Sequence, residues 1–178
     1  ELLYKAERDQ LTGLYNRAAS ERNINASLSI GARDMKSAFL LIDLDNFKEI
    51  NDTMGHVQGD LVLREVAEIL RSSFRKTDIV GRLGGDEFIV LMRDIKSQEN
   101  VRSSAEKLLG LLRRTYKREG REVSISGSIG IAMVPECGRK FKHLYDCADQ
   151  ALYSVKYAGK GGYCFAEKAD SRQKAEQE

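Results

Sequence analysis

Residues 38–44 read Ala-Phe-Leu-Leu-Ile-Asp-Leu, and Asp45 follows. A short continuous apolar run of this kind suits a strand buried on both faces, which requires a sheet with cover on each side. The neighbouring segments supply that cover. Residues 60–74 place Leu63, Val66, Ala67, Leu70 and Phe74 on one helical face. Residues 79–83 and 87–92 flank Gly84-Gly85 and predict two strands joined by a tight glycine turn. Residues 98–117 predict a helix, with Val101, Ala105, Leu108, Leu109, Leu112 and Tyr116 in register. Residues 123–134 alternate Val123, Ile125, Gly127, Ile129, Ile131 and Met133, a strand pattern with a bend at Gly127 or Gly130. Residues 142–158 predict a helix with Leu144, Ala148, Ala151, Leu152 and Val155 inward and Gly159 as C-cap. A weaker helical pattern covers 15–29, and 163–165 reads as a last short strand. The expected fold is α/β: one mixed central β-sheet flanked by helices.

The 178 residues are enough for one domain with a real core. Lys and Arg number 29 against 27 Asp and Glu, a net charge of +2. That balance gives no electrostatic case for nucleic acid or for direct membrane contact, while phosphate-bearing small molecules need only local positive charge. Cys137, Cys147 and Cys164 have no CxxC spacing and an odd count, which fits a reducing compartment and not a disulfide framework or a structural zinc site. The chain opens at Glu1 without a visible signal peptide. It reads as a cytoplasmic piece of a longer protein. Residues 1–8, with Leu2, Leu3 and Ala6, read as the end of a linker helix, and 166–178 as a polar, disordered tail.

Four groups of residues carry chemistry. Asp43 and Asp45 stand at i and i+2, so their carboxylates share one side of a strand end and offer a hard cation such as Mg²⁺ a seat. A solvated strand end, with one Asp capping the next turn, is the bland alternative. Gly84-Gly85 lets a backbone approach a ligand closely, and Asp86-Glu87 places carboxylates beside that opening. If the three strands are neighbours, Asp43 and Asp86 can share one ion; the alternative is an ordinary turn with solvated acids. Lys48 suits a phosphate, and Asn51 with Asp60 complements a guanine edge. Asp60 also stands where the helix of 61–74 needs its N-cap, and His56 fits a plain loop histidine. Lys156 and Lys160 lie around a helix C-terminus, where lysine is also simply good electrostatics.

Taken together these blocks go further. Asp9-Gln10-Leu11-Thr12-Gly13-Leu14-Tyr15-Asn16-Arg17 resembles the opening signature of the GGDEF family of diguanylate cyclases. So do Ile42-Asp43-Leu44-Asp45-Asn46-Phe47-Lys48, Ile50-Asn51-Asp52, Gly55-His56 and Gly59-Asp60. Gly84-Gly85-Asp86-Glu87-Phe88 is intact behind Arg82, and Ser128-Ile129-Gly130-Ile131-Ala132 and Ala148-Asp149-Gln150-Ala151-Leu152-Tyr153 look like later family blocks. The resemblance spans 9–165 in family order. It implies a fold similar to nucleotide-cyclase domains and polymerase palms, and condensation of two GTP into cyclic di-GMP with release of two pyrophosphates. It implies Mg²⁺, or Mn²⁺ in its place, held by Asp43, Asp86 and the Leu44 carbonyl. Asp86 and Glu87 would be catalytic, with the general base one of the two. Asn51 and Asp60 would bind guanine with His56 nearby, and Lys48, Lys156 and Lys160 would contact phosphates. Lys160 stands where arginine is also common, which alters phosphate geometry but keeps the charge. Arg75 and Asp78 match the Arg-x-x-Asp product-inhibition site of the family; a surface ion pair is the plain alternative. A product of two identical halves implies a homodimer in the active state. A catalytically inactive domain that senses GTP or cyclic di-GMP, and a structural dimerisation domain, are the rival readings.

Overall fold

The computed structural model describes residues 6–30 and 34–168. Leu2 and Leu3 of the expected linker helix, and the tail from residue 169, lie outside the described residues. The elements run α1 (Arg17–Ile30), β1 (Ser37–Asp45), α2 (Phe47–Met54), α3 (His56–Ser73), β2 (Ile79–Gly84), β3 (Glu87–Met92), α4 (Gln98–Leu112), β4 (Arg114–Arg118), β5 (Arg121–Val134), α5 (Phe141–Tyr157) and β6 (Tyr163–Phe165).

The apolar run sits where its composition requires. β1 lies between β3 and β5 in a sheet of order β2-β3-β1-β5-β4, and β6 joins β5 in parallel. All the other pairings are antiparallel, so the sheet is mixed. Side chains alternate across β1 and feed two cores. Leu40, Ile42 and Leu44 pack with Phe47, Ile50, Val66, Leu70, Val101 and Leu108, the apolar faces of α2, α3 and α4. Phe39 and Leu41 pack with Ile24, Leu28, Leu144, Ala148 and Leu152 of α1 and α5. Asp43 and Asp45 have the odd numbering of the second face and therefore meet α5.

Three expectations need correction. The helix expected over 98–117 ends at Leu112, because Arg114–Arg118 pairs with β5 as a hairpin. Glu119 and Gly120 both have positive φ, 50° and 75°, the geometry of a primed two-residue turn. Tyr116 thus lies on a strand, where its hydroxyl donates to Glu65 Oε2 at 2.6 Å. The helix expected from residue 60 starts at His56, and a separate helix, α2, precedes it. Gly55 (φ 88°) is both the C-cap of α2 and the N-cap of α3. Asp60 is therefore inside α3 and caps nothing.

Candidate functional site

β1 and β3 pair with Asp43 opposite Glu87, and the Leu44 amide donates to the Asp86 carbonyl at 3.3 Å. The end of the apolar strand is thereby placed against the Gly84-Gly85 turn. Gly84 (φ 134°) and Gly85 (φ 52°) take backbone conformations that side chains disfavour, and the β2–β3 register shifts there by a bulge. Arg82 closes the turn on itself. Its Nε and Nη2 donate to the Gly85 carbonyl at 3.0 and 2.7 Å, and its Nη1 donates to both Asp9 oxygens at 3.0 and 3.1 Å. Asp9 also accepts from the Thr12 amide and hydroxyl.

A cleft of about 480 Å³ opens at this corner, lined by Asp43, Leu44, Asn46, Phe47, Lys48, Glu49, Asp52, Asp86, Lys156 and Lys160. It brings together Asp43, Asp86 and all three lysines singled out in the sequence. Asn51, His56 and Asp60 sit at the α2–α3 corner outside this wall. Asn51 Oδ1 lies so close to Gly59 that a Cβ there would come within 1.9 Å of it. His56 and Asp60 are exposed.

The electrostatics divide the acids into two kinds. Asp45 is 1% exposed and fully partnered. It accepts from Lys156 Nζ at 2.6 Å, from the Ser126 and Ser128 hydroxyls, and from the Gly161 amide. Burial alone would raise its carboxyl, but Lys156 and the two serines outweigh that and hold it below the usual range. Asp45 is thus a structural anchor for Lys156, with both of its oxygens hydrogen-bonded. Asp43 is the opposite case. Its Oδ2 is 3.3 Å from Lys156, while its buried Oδ1 has no hydrogen-bond partner. Burial first, then the charge of Asp86 beside it, pushes Asp43 up to about 6 against the opposing Lys156. Glu87 is also raised, by burial and by Asp43 and Asp149, with the Tyr145 hydroxyl opposing at 2.9 Å.

An orphaned, buried carboxylate oxygen beside a second carboxylate fits a hard divalent cation. Among the described residues no three His, Cys, Asp or Glu side chains form a metal cluster of their own. Asp43 and Asp86 would need Leu44 and a ligand's oxygens to complete the shell. Lys156 is committed to Asp43 and Asp45, so only its remaining N–H faces a ligand. Lys160 (φ 68°) stands on the loop after α5, with Nζ 3.4 Å from Asn46 Oδ1.

Arg75 and Asp78 form a turn at the start of β2, the end remote from Gly84. Asp78 is 2% exposed and accepts from the Arg75 and Arg93 amides at 2.9 and 3.0 Å, with the Arg75 guanidinium at 3.4 Å. Arg75 itself is 57% exposed and also donates to the Arg93 carbonyl.

The family model for "Diguanylate cyclase, GGDEF domain" matches residues 6–162. The chain belongs to the GGDEF family. It is 40% identical over 178 residues to the bifunctional diguanylate cyclase/cyclic di-GMP phosphodiesterase MucR of Pseudomonas aeruginosa, covering 99% of this chain and 26% of MucR. It is 38% identical over 173 residues to the diguanylate cyclase TpbB of the same species, covering 96% of this chain and 40% of TpbB. The chain thus spans well under half the length of these curated relatives. Its fold is that of solved GGDEF domains. The TpbB GGDEF domain of P. aeruginosa superposes with a TM-score of 0.84 at 38% identity, covering 96% of this chain and 99% of that one. The coiled coil and GGDEF domain of DgcB from Caulobacter crescentus, in complex with c-di-GMP, gives 0.84 at 26% identity over 93% and 88%.

Within this GGDEF domain, sequence reasoning missed three things. It gave no partner to Asp9, because Arg82 is 73 residues away. It gave Asp45 no partner, because Lys156 is 111 residues away. It passed over Tyr145, which no motif contains. A tyrosine among the inward residues of an amphipathic helix was the available signal.

Proposed function

We propose that this GGDEF domain is a diguanylate cyclase, condensing two GTP into cyclic di-GMP with release of two pyrophosphates. The observation that carries the reading is the unpartnered Asp43 oxygen beside Asp86, at a cleft whose walls hold three lysines. Asp43 and Asp86, with the Leu44 carbonyl, would hold Mg²⁺ or Mn²⁺. Such an ion, when bound, would supply Lewis-acid polarisation of the α-phosphate and would make the 3′-hydroxyl proton easier to lose. The chain's own residues do the rest. Asp86 or Glu87 accepts that proton as general base. Lys48 and Lys160 stand in the cleft wall to neutralise the leaving pyrophosphate, and Lys156 keeps Asp45 and part of Asp43 neutralised. Asn51 and Asp60 take the guanine edge from the α2–α3 corner, with His56 beside them. Two protomers, each with one GTP, face each other across a symmetric dimer.

Incubation with GTP and Mg²⁺, followed by nucleotide chromatography, is the test. Cyclic di-GMP should form, at a rate per protomer that rises with protein concentration. Asp43→Asn should lower turnover by about a hundredfold or more, because a cation site loses one of its charges. Near-normal turnover by this variant removes the metal assignment. Binding of GTP without any product replaces the cyclase reading by a nucleotide-sensing domain.

A further inference from the structure

Tyr145 lies on α5, and its hydroxyl donates to Glu87 Oε1 at 2.9 Å. The ring is fixed from several elements. It stacks on Phe141 at 6.0 Å and 23°, and Phe141 meets Phe39 of β1 edge-on at 5.6 Å and 87°. The Arg17 guanidinium of α1 lies 5.4 Å from the Tyr145 ring centroid. All of this rigidity ends in one polar contact, to the carboxylate that faces Asp43 across the β1–β3 pair.

Glu87 needs such a tether. Asp43 and Asp149 both press like charge on it, against the attraction of Arg17. A carboxylate repelled from two sides, on a flexible side chain, swings out to water, and a ligand must then draw it back at an entropic cost. A neutral, rigid donor holds it in place and leaves its charge intact, which a lysine would not do. A tyrosine hydroxyl ordinarily titrates at about 10, so it is a neutral donor across the physiological range. Among the described residues no side-chain donor other than Tyr145 hydrogen-bonds Glu87.

We propose that Tyr145 is a positioning residue that anchors one oxygen of Glu87 so that the other stays turned, with Asp43 and Asp86, toward the divalent cation of the cleft. The proposal rests on the cyclase reading for the nature of that occupant. Partners of this kind orient the groups that hold a metal, and their loss typically lowers metal affinity or activity by 10- to 100-fold.

Tyr145→Phe deletes the hydroxyl and keeps the ring stack. The experiment titrates Mn²⁺ into wild type and variant, each with a non-hydrolysable GTP analogue, and reads free Mn²⁺ by electron paramagnetic resonance. Mn²⁺ affinity should fall about tenfold, with a parallel loss in GTP turnover. In a Glu87→Ala background, which leaves the hydroxyl no acceptor at position 87, the same substitution should cost nothing further. Unchanged Mn²⁺ affinity overturns the proposal, including when only the melting temperature drops. So does an equal loss in the Glu87→Ala background, because the hydroxyl would then act elsewhere. Wild-type protein that binds Mn²⁺ with the analogue but makes no cyclic di-GMP sinks the cyclase reading, and the Mn²⁺ comparison still decides the role of Tyr145. Wild-type protein that binds no Mn²⁺ overturns both.

Discussion

Asp9 and Arg82 show how one ion pair can hold a turn. The pair is largely shielded, with side chains 19% and 13% exposed. Arg82 spends its other nitrogens on the Gly85 carbonyl, so the N-terminal turn, β2 and the Gly84-Gly85 loop form one unit. Burial alone would raise the Asp9 carboxyl, but Thr12 and Arg82 outweigh it and hold Asp9 below the usual range. A carboxylate depressed in the folded state contributes stability that is present above its unfolded pKa and lost as pH falls through the folded value. Asp9→Asn should therefore destabilise the domain at neutral pH by about 2 kcal/mol, the scale of a hydrogen bond to a charged group. The difference from wild type should close below about pH 4, where the unfolded carboxyl protonates and then the folded one. Urea unfolding of both proteins across a pH series measures this. A gap that stays constant into acid would mean that the pair contributes nothing through its charge.

At the level of elements, the site depends on how closely α5 lies on β5. A Cβ on Gly130 would come within 1.9 Å of the Ala148 carbonyl oxygen and 2.7 Å of the Leu152 amide nitrogen. Both are backbone atoms and cannot swing aside. α5 carries Lys156 to Asp43 and Asp45, and Tyr145 to Glu87, so a shift of this helix moves both contacts. Gly130→Ala should lower stability by about 3 kcal/mol, the upper part of the range for overpacking, and lower turnover as well. Thermal melts and the GTP assay report both effects. A stable, fully active Gly130→Ala would mean that the helix can lift without disturbing the carboxylates. The same packing logic explains the glycine pattern of β5: Gly127 faces Leu112 Cδ1, which a Cβ would approach to 2.6 Å. The alternating strand therefore needs no bend at either glycine.

Across the whole molecule, β2 links the Arg75–Asp78 turn to the Gly84-Gly85 turn. Arg75 and Asp78 precede its first residue and Gly84 ends it, and six strand residues span about 20 Å. Cyclic di-GMP held at Arg75 and Asp78 should inhibit without competing for GTP, by favouring one arrangement of the domains over another. The turn itself engages Asp78, so Arg75, at 57% exposure, is the residue that reaches a ligand first. Isothermal titration of cyclic di-GMP into wild type and Arg75→Ala should show affinity lost in the variant, together with loss of inhibition. Equal affinity in both would dismiss the site. Much of this architecture was legible in the chain. The apolar run of 38–44 suited a central strand, the helical stripes suited its cover, and the two glycines before Asp86-Glu87 suited a turn. Local pattern failed where local signals compete: helical spacing runs on from 98–112 through Tyr116, whereas the positive-φ turn at Glu119-Gly120 folds 114–118 back on β5. It also made Asp60 a cap, because an acceptor before an apolar stripe looks the same whether the helix starts there or four residues earlier. Sequence by itself determined which carboxylates, lysines and glycines the chain would have, and the face of the strand on which Asp43 and Asp45 both lie. Only the tertiary structure decided which of the two is free. Asp45 meets Lys156, 111 residues away, and two serines of β5, whereas Asp43 is left with one oxygen unpaired beside Asp86. The charge state of a buried acid is set by the partners that packing brings to it, and no spacing along the chain records them.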